Sequence, residues 1–356
     1  MQSNPTISVI MPAYNAEAYI GEAIKSILNQ TFTGFEFLIY NDGSTDKTHE
    51  IITSFNDGRI VYKHHEKNTG YLTLLNKGLT EAKGRYIARM DADDIALPNR
   101  FEVQFKYLEE NHTVGICGSW IEFIGAMTGI NKSAETFEDI KYSLFFGCPL
   151  THPTVMMRSD LLKKHQLRYK QEYYYAEDHY FFVEASLKFE ITNLPIVLLK
   201  YRIHNAQVGG ARWKEQFLAK SKIQAKLFSN ALVKINSCDE IWLENFFKEK
   251  SIPNEKWLDE IKSYQNRIIA DNKLTKLYPE SILEKAVLSL FKSKREKNFY
   301  KYYFNKYYNQ KAYSPKLLIS FLREKYKPGK ILGKKLTTYF VLKCLIGYKK
   351  KTVLAQ

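Results

Sequence analysis

Short apolar runs alternate with helix-period segments through the first third of the chain, and that alternation restricts the fold more than any other feature. Ile7 to Met11 is an apolar run stopped by Pro12, with the length and make-up of a buried strand. Tyr19/Ile20, Ala23/Ile24 and Ile27/Leu28 then recur at helical spacing. The pattern predicts further strands over Glu36 to Tyr40, Arg59 to Tyr62 and Tyr86 to Met90. Helices are predicted over roughly Thr45 to Phe55 and over Gly70 to Ala82. Pro98 suits the first turn of a helix running to about Glu110. Strands and helices that alternate with linkers of a few residues predict an α/β fold around a doubly wound, mainly parallel sheet.

Such sheets bind ligands in the crevice outside the carboxyl ends of their strands. The fourth predicted strand runs into Asp91-Ala92-Asp93-Asp94. On extended backbone, side chains two apart point the same way, so Asp91 and Asp93 can aim at one spot. Hard oxygen ligands there suit a divalent cation that itself holds phosphates. The usual phosphate loops are missing. The turn after the first strand reads Pro12-Ala13-Tyr14-Asn15, not G-x-G-x-x-G, and no G-x-x-x-x-G-K-[ST] or G-x-S-x-G occurs. Dinucleotide oxidoreductases, P-loop NTPases and elbow-type serine hydrolases are therefore disfavoured.

The 356 residues suffice for one large domain or two ordinary ones. Cys117, Cys148, Cys238 and Cys344 are widely separated, with no C-x-x-C pair, which fits a reducing compartment and argues against a zinc site. Neither a signal peptide nor a run of about 18 apolar residues is expected. Charge divides the chain. Residues 1–212 carry 22 Lys+Arg against 25 Asp+Glu, whereas residues 213–356 carry 31 against 13. The basic excess thus belongs to the C-terminal part and suggests a unit that faces a polyanion.

Several motifs, taken together and in order, resemble glycosyltransferase family 2. Ser8-Val9-Ile10-Met11-Pro12-Ala13-Tyr14-Asn15 is similar to its first strand and nucleotide turn, and Leu28-Asn29-Gln30-Thr31 to the end of its first helix. Asn41-Asp42-Gly43-Ser44-Thr45-Asp46 resembles a motif that more often reads D-D-G-S. Asn68-x-Gly70, Asn76-x-Gly78, Gly84-Arg85-Tyr86-Ile87, Asp91-Ala92-Asp93-Asp94 with Pro98 and Arg100, Thr151-His152-Pro153, Ala176-Glu177-Asp178 and Tyr201-Arg202-Ile203-His204 follow. The likeness covers about residues 5–212. Within the family it is nearest to bacterial transferases that extend lipooligosaccharide, O-antigen or related surface glycans. Many of those add N-acetylglucosamine, galactose or N-acetylgalactosamine in β-1,3 linkage.

The resemblance implies a GT-A fold and a UDP-sugar donor. It implies a Mn²⁺ or Mg²⁺ ion on Asp93, with His204 near the metal or diphosphate. Asp91 is then expected at the ribose or a metal-bound water, with Ala92 beside it and Asp94 behind. Pro12, Ala13 and Tyr14 are expected to line the uridine pocket and Asp42 to face the uracil. Asp178 is the expected base for the acceptor hydroxyl, with Glu177 assisting. One base displacing in line inverts the anomeric centre. His152 is a weaker candidate for the same site. Trp120, Tyr173, Tyr174 and Tyr175 are candidates to stack on sugar faces, although most aromatics belong to cores.

The expected division is a catalytic domain over 1–212 and a helical, Lys/Tyr-rich region over 213–356. In the latter, Asn298 to Tyr308 and residues 316–351 mix aromatics and aliphatics with basic side chains, which suits an anionic membrane surface. A helical bundle with these aromatics in its core is the competing reading, and no nucleic-acid recognition module is evident. A glycan or glycolipid acceptor, a cytoplasmic location and peripheral association with the inner face of a bacterial plasma membrane are the matching expectations. The alternatives are the same chemistry with a glucose or deoxysugar donor, or a noncatalytic sugar-nucleotide or glycan-binding module.

Overall fold

The computed structural model describes residues 5–204, 212–248 and 255–291. The Asn298 to Tyr308 and 316–351 segments lie outside these residues. Two compact units divide the chain: residues 1–230 with 235–248, and residues 231–234 with 249–356. The first unit therefore continues past residue 212.

That unit is built on a nine-stranded sheet. Its strands are β1 (Ile7–Ala13), β2 (Phe35–Asp42), β3 (Ile60–His65), β4 (Tyr86–Arg89), β5 (Ile95–Ala96), β6 (Val114–Gly125), β7 (Gly129–Asn131), β8 (Met156–Arg158) and β9 (Glu190–Ile203). The order is β3-β2-β1-β4-β8-β6-β9-β5, with β7 paired to β6. Strands β3, β2, β1 and β4 are parallel neighbours, as are β6 and β9. Between these two groups β8 runs antiparallel to both β4 and β6. Strand β1 is buried along its whole length, as a central parallel strand covered on both faces must be.

The crossover helices are α1 (Ile20–Leu28), α2 (Thr48–Thr53), α3 (Tyr71–Glu81) and α4 (Arg100–Glu110). In α1 the buried residues are Ile20, Ala23, Ile24 and Ile27, one stripe at spacings of three and four. They meet Val9, Met11, Phe37, Ile39 and Ala88 in one apolar cluster. Gly84 leads into β4 where the backbone approaches β1. A Cβ there would lie 2.5 Å from the Ser8 nitrogen. Strand β1 lies between β2 and β4, and the chain passes from β1 to β2 and β3 on one side before crossing back to β4 on the other. This is the point where doubly wound sheets open their ligand crevice.

The remaining helices of this unit are α5 (Phe137–Leu144), α6 (Ser159–Lys164), α7 (Glu177–Ser186), α8 (Trp213–Ser229) and α9 (Ser237–Phe247). Phe228 and Phe247 stack at 5.5 Å between centroids, joining α8 to α9. In the second unit α10 (Glu255–Thr275) is followed by helical residues 280–291. No helix among the described residues is long and apolar enough to cross a membrane.

Candidate active site

Strand β4 ends at Arg89, and the chain then turns through the acidic motif. Asp91, Asp93 and Asp94 each place a carboxylate oxygen within 4.8 Å of the others. The end of β9 holds this turn. The Arg202 amide donates to Asp94 Oδ1 at 2.9 Å, and its Nε donates to the Asp93 carbonyl at 2.8 Å. His204 Nε2 lies 3.0 Å from Asp93 Oδ2. Asp93 and His204, distant in sequence, are thus brought together.

Asp91 pairs with the buried guanidinium of Arg89. Burial nevertheless raises the Asp91 carboxyl to about 6, against the pull of Arg89 and with help from the charge of Asp93. Asp94 is pushed well above the ordinary carboxylate range, first by burial and then by Asp91 and Asp93. Among the described residues its Oδ2 finds no hydrogen-bond partner. Crowded, partly desolvated carboxylates beside an imidazole, with one buried oxygen unpartnered, make a donor set that fits a hard divalent cation.

Helix α7 opens with Glu177 and Asp178. Burial, followed by the charge of Asp178, pushes Glu177 up to about 7. Among the described residues its buried Oε2 has no hydrogen-bond partner. Burial also raises Asp178, opposed by the His179 amide, which donates to its Oδ1 at 2.7 Å, and by the Cys148 thiol. The charge of Asp178 is felt at Asp91, so the two acidic groups share one electrostatic environment.

On the nucleotide side, Pro12 and Ala13 are buried at the end of β1, and Tyr14 beyond it is 52% exposed. Asp42 ends β2 with its carboxylate already engaged. Its Oδ1 accepts from the Thr69 amide at 2.7 Å and hydroxyl at 2.8 Å, and its Oδ2 from the Gly70 amide at 3.0 Å. Asp42 thus ties β2 to the turn entering α3, whatever further contact it makes. Asn41 stands where the commoner residue is Asp; its Nδ2 donates to the Tyr62 hydroxyl at 3.0 Å while its Oδ1 accepts from the Ser44 amide at 3.1 Å. Gly43 follows with φ +71, in the left-handed region.

The other candidates separate by environment. Tyr173 is buried and stacked on Tyr180 with centroids 3.8 Å apart, so it belongs to the core. Trp120 donates to the Ser133 carbonyl under the Lys132 ammonium. Tyr174 and Tyr175 are half-buried and meet edge to face at 4.4 Å. His152 is buried between two tyrosines, away from solvent. Arg89 and Arg202 received no role from the sequence. The signal for Arg89 is a charged residue within an apolar strand run. For Arg202 there is none beyond its place in the Tyr201–His204 motif.

Residues 8–166 match the family model described as Glycosyl transferase family 2. An uncharacterized glycosyltransferase of Haemophilus influenzae is 37% identical over 248 residues, 66% of this chain and 77% of the relative. The Escherichia coli protein WfgD, named as a UDP-Glc:α-D-GlcNAc-diphosphoundecaprenol β-1,3-glucosyltransferase, is 29% identical over 211 residues, 59% of this chain and 81% of WfgD. Among solved structures, residues 1–349 of Staphylococcus aureus TarS in complex with UDP-GlcNAc superpose with a TM-score of 0.57. The identity is 21%, covering 83% of this chain and 90% of that one.

Proposed function

The chain belongs to glycosyltransferase family 2, and from that premise we propose that it moves a hexose or N-acetylhexosamine from a UDP-sugar to a terminal sugar of a bacterial surface glycan, with inversion and in β-1,3 linkage. The observation that carries this reading is the juxtaposition of two carboxylate groups of different character. The Asp91/Asp93/Asp94 cluster with His204 has the donor set for a cation. The Glu177/Asp178 pair has raised proton affinity, as a group that must accept a proton needs. The activity for which WfgD is named supports a nucleotide-sugar donor, a β-1,3 product and a lipid-linked acceptor. It favours glucose as one donor to test.

In this reading Asp93 and His204 would hold Mn²⁺ or Mg²⁺, and the ion would supply positive charge against the departing diphosphate. Asp91, steadied by Arg89, faces the ribose. Pro12, Ala13, Tyr14 and Asp42 border the uridine, with Ala92 closing the pocket beside the aspartates. Asp178 takes the proton from the acceptor hydroxyl as that oxygen attacks the anomeric carbon from the side opposite UDP. An α-linked donor then gives a β product. Glu177, beside it, hydrogen-bonds the acceptor through its unpartnered oxygen.

The test is a panel of UDP-sugars offered with membrane glycolipid extracts, reading UDP release. Turnover is expected to need Mn²⁺ or Mg²⁺ and to vanish in Asp93→Ala. Asp178→Asn is expected to keep Mn²⁺-dependent UDP binding while transfer falls by about 10²-fold or more. Normal turnover by Asp178→Asn assigns the base to another group. UDP binding with no transfer by the parent protein favours a noncatalytic binding module.

A further inference from the structure

A buried hydrogen-bonded chain runs inward from Arg89, and its members beyond that arginine have no part in the chemistry described above. Arg89 is 2% exposed. One arm of its guanidinium pairs with Asp91, and the other donates to the Tyr71 hydroxyl. That hydroxyl lies 3.1 Å from His152 Nδ1, and His152 Nε2 lies 2.8 Å from the Tyr169 hydroxyl. The far end is fixed twice. The Tyr169 ring stacks on Phe181 at 4.5 Å, and its main chain is clasped by Asn76, whose Oδ1 accepts from the Tyr169 amide at 2.9 Å while its Nδ2 donates to the carbonyl at 2.8 Å.

The donors set the direction of the chain. A guanidinium only donates, so the Tyr71 oxygen accepts from Arg89. Burial together with the nearby Arg89 charge holds the His152 pKa well below the ordinary value, which favours a neutral ring. A neutral ring that accepts at Nδ1 takes up the Tyr71 proton in a hydrogen bond and turns its own Nε2 proton to Tyr169, whereas the other tautomer leaves the Tyr71 proton without an acceptor in this chain of groups.

We propose that His152 is a positioning residue, which through Tyr71 holds Arg89 against Asp91 and so presets the aspartate cluster for the metal-bound nucleotide. The proposal rests on the reading of that cluster as the donor site. Among the described residues Arg89 Nε makes no hydrogen bond, so Asp91 and Tyr71 are the polar partners of the guanidinium. Without the bond to Tyr71, the guanidinium has one polar partner fewer to fix its angle against Asp91. Supporting groups of this kind are typically worth 10–100-fold in metal affinity.

The two ring nitrogens allow a test that packing alone does not predict. Asparagine places an acceptor near the Nδ1 position and can keep the bond to Tyr71. Glutamine reaches the Nε2 position and can keep only the bond to Tyr169. We would measure the dissociation constant of UDP in saturating and limiting Mn²⁺ by titration calorimetry, with thermal unfolding of each variant alongside. His152→Gln and Tyr71→Phe are expected to weaken Mn²⁺-dependent UDP binding by about tenfold, and His152→Asn to restore most of it. Equal losses in the Asn and Gln variants, losses that track a fall in Tm, or parent-like binding by Tyr71→Phe each overturn the proposal. If the parent protein itself binds no UDP with Mn²⁺, the reading of the site fails first and the proposal falls with it.

Discussion

Glu177 carries the clearest conflict between stability and role at the scale of single residues. Burial and the charge of Asp178 raise its carboxyl from 4.5 to about 7. A carboxyl whose folded value lies above its unfolded value helps folding only while it stays protonated. Its contribution is present below the unfolded value and is lost as pH rises through the folded one. The metal-free protein is therefore expected to lose stability between about pH 4.5 and 7 on account of this group. Glu177→Gln removes that loss, so its Tm should exceed the parent's by about 2 °C or more at pH 8. At pH 4 the two should melt together. Calorimetric scans in chelator at both pH values check this. A Gln variant less stable at pH 8 would mean that the ionised carboxylate has a favourable partner.

At the scale of elements, the site depends on how closely β1 and β4 approach, because Tyr14 and Asp91 lie just beyond their ends. Gly84 permits that approach. An added Cβ would meet backbone atoms of Ile7 and Ser8 at 2.7 and 2.5 Å, not flexible side chains, so the strands must part. Gly84→Ala is expected to cost about 2 kcal/mol, within the usual range for overpacking. It should also weaken UDP binding, which a glycine needed only for a loose turn would not do. Denaturant unfolding and UDP titration together decide the matter. The alternating elements of the first 110 residues were legible because each buried strand and amphipathic helix writes its own period. The antiparallel strand Met156–Arg158 was not, since three residues have no period and their place between β4 and β6 is set by long-range pairing. The candidates Asp91, Asp93, Glu177 and Asp178 were singled out through motif order, and Arg89 and Arg202 beside them were not. What an arginine meets is set largely by the fold: Arg89 pairs with nearby Asp91 but also reaches Tyr71, and Arg202 meets Asp93, Asp94 and Glu22.

At the scale of the whole molecule, the candidate site and most of the charge belong to different stretches of sequence. The proposed donor, metal and base residues all precede residue 205, yet residues 213–356 hold 31 Lys+Arg against 13 Asp+Glu. Residues 316–356 alone contribute eleven basic residues and one acidic residue. A chain acting on a lipid-linked acceptor gains from staying at an anionic surface, where each nearby Lys or Arg is worth about 1 kcal/mol. Trp213, Phe217 and Leu218 add exposed apolar surface near the start of α8, of the kind that settles at a membrane interface. We therefore expect a chain ended after residue 315 to lose attachment to vesicles rich in anionic lipid while still transferring sugar to a short soluble acceptor. Binding of the full chain should weaken steeply with added salt, as screened charge requires. Equal vesicle binding by the shortened chain moves the anchor elsewhere. An insoluble shortened chain shows instead that residues 316–356 complete a folded core, so the basic residues among them serve a solvated face and not a membrane.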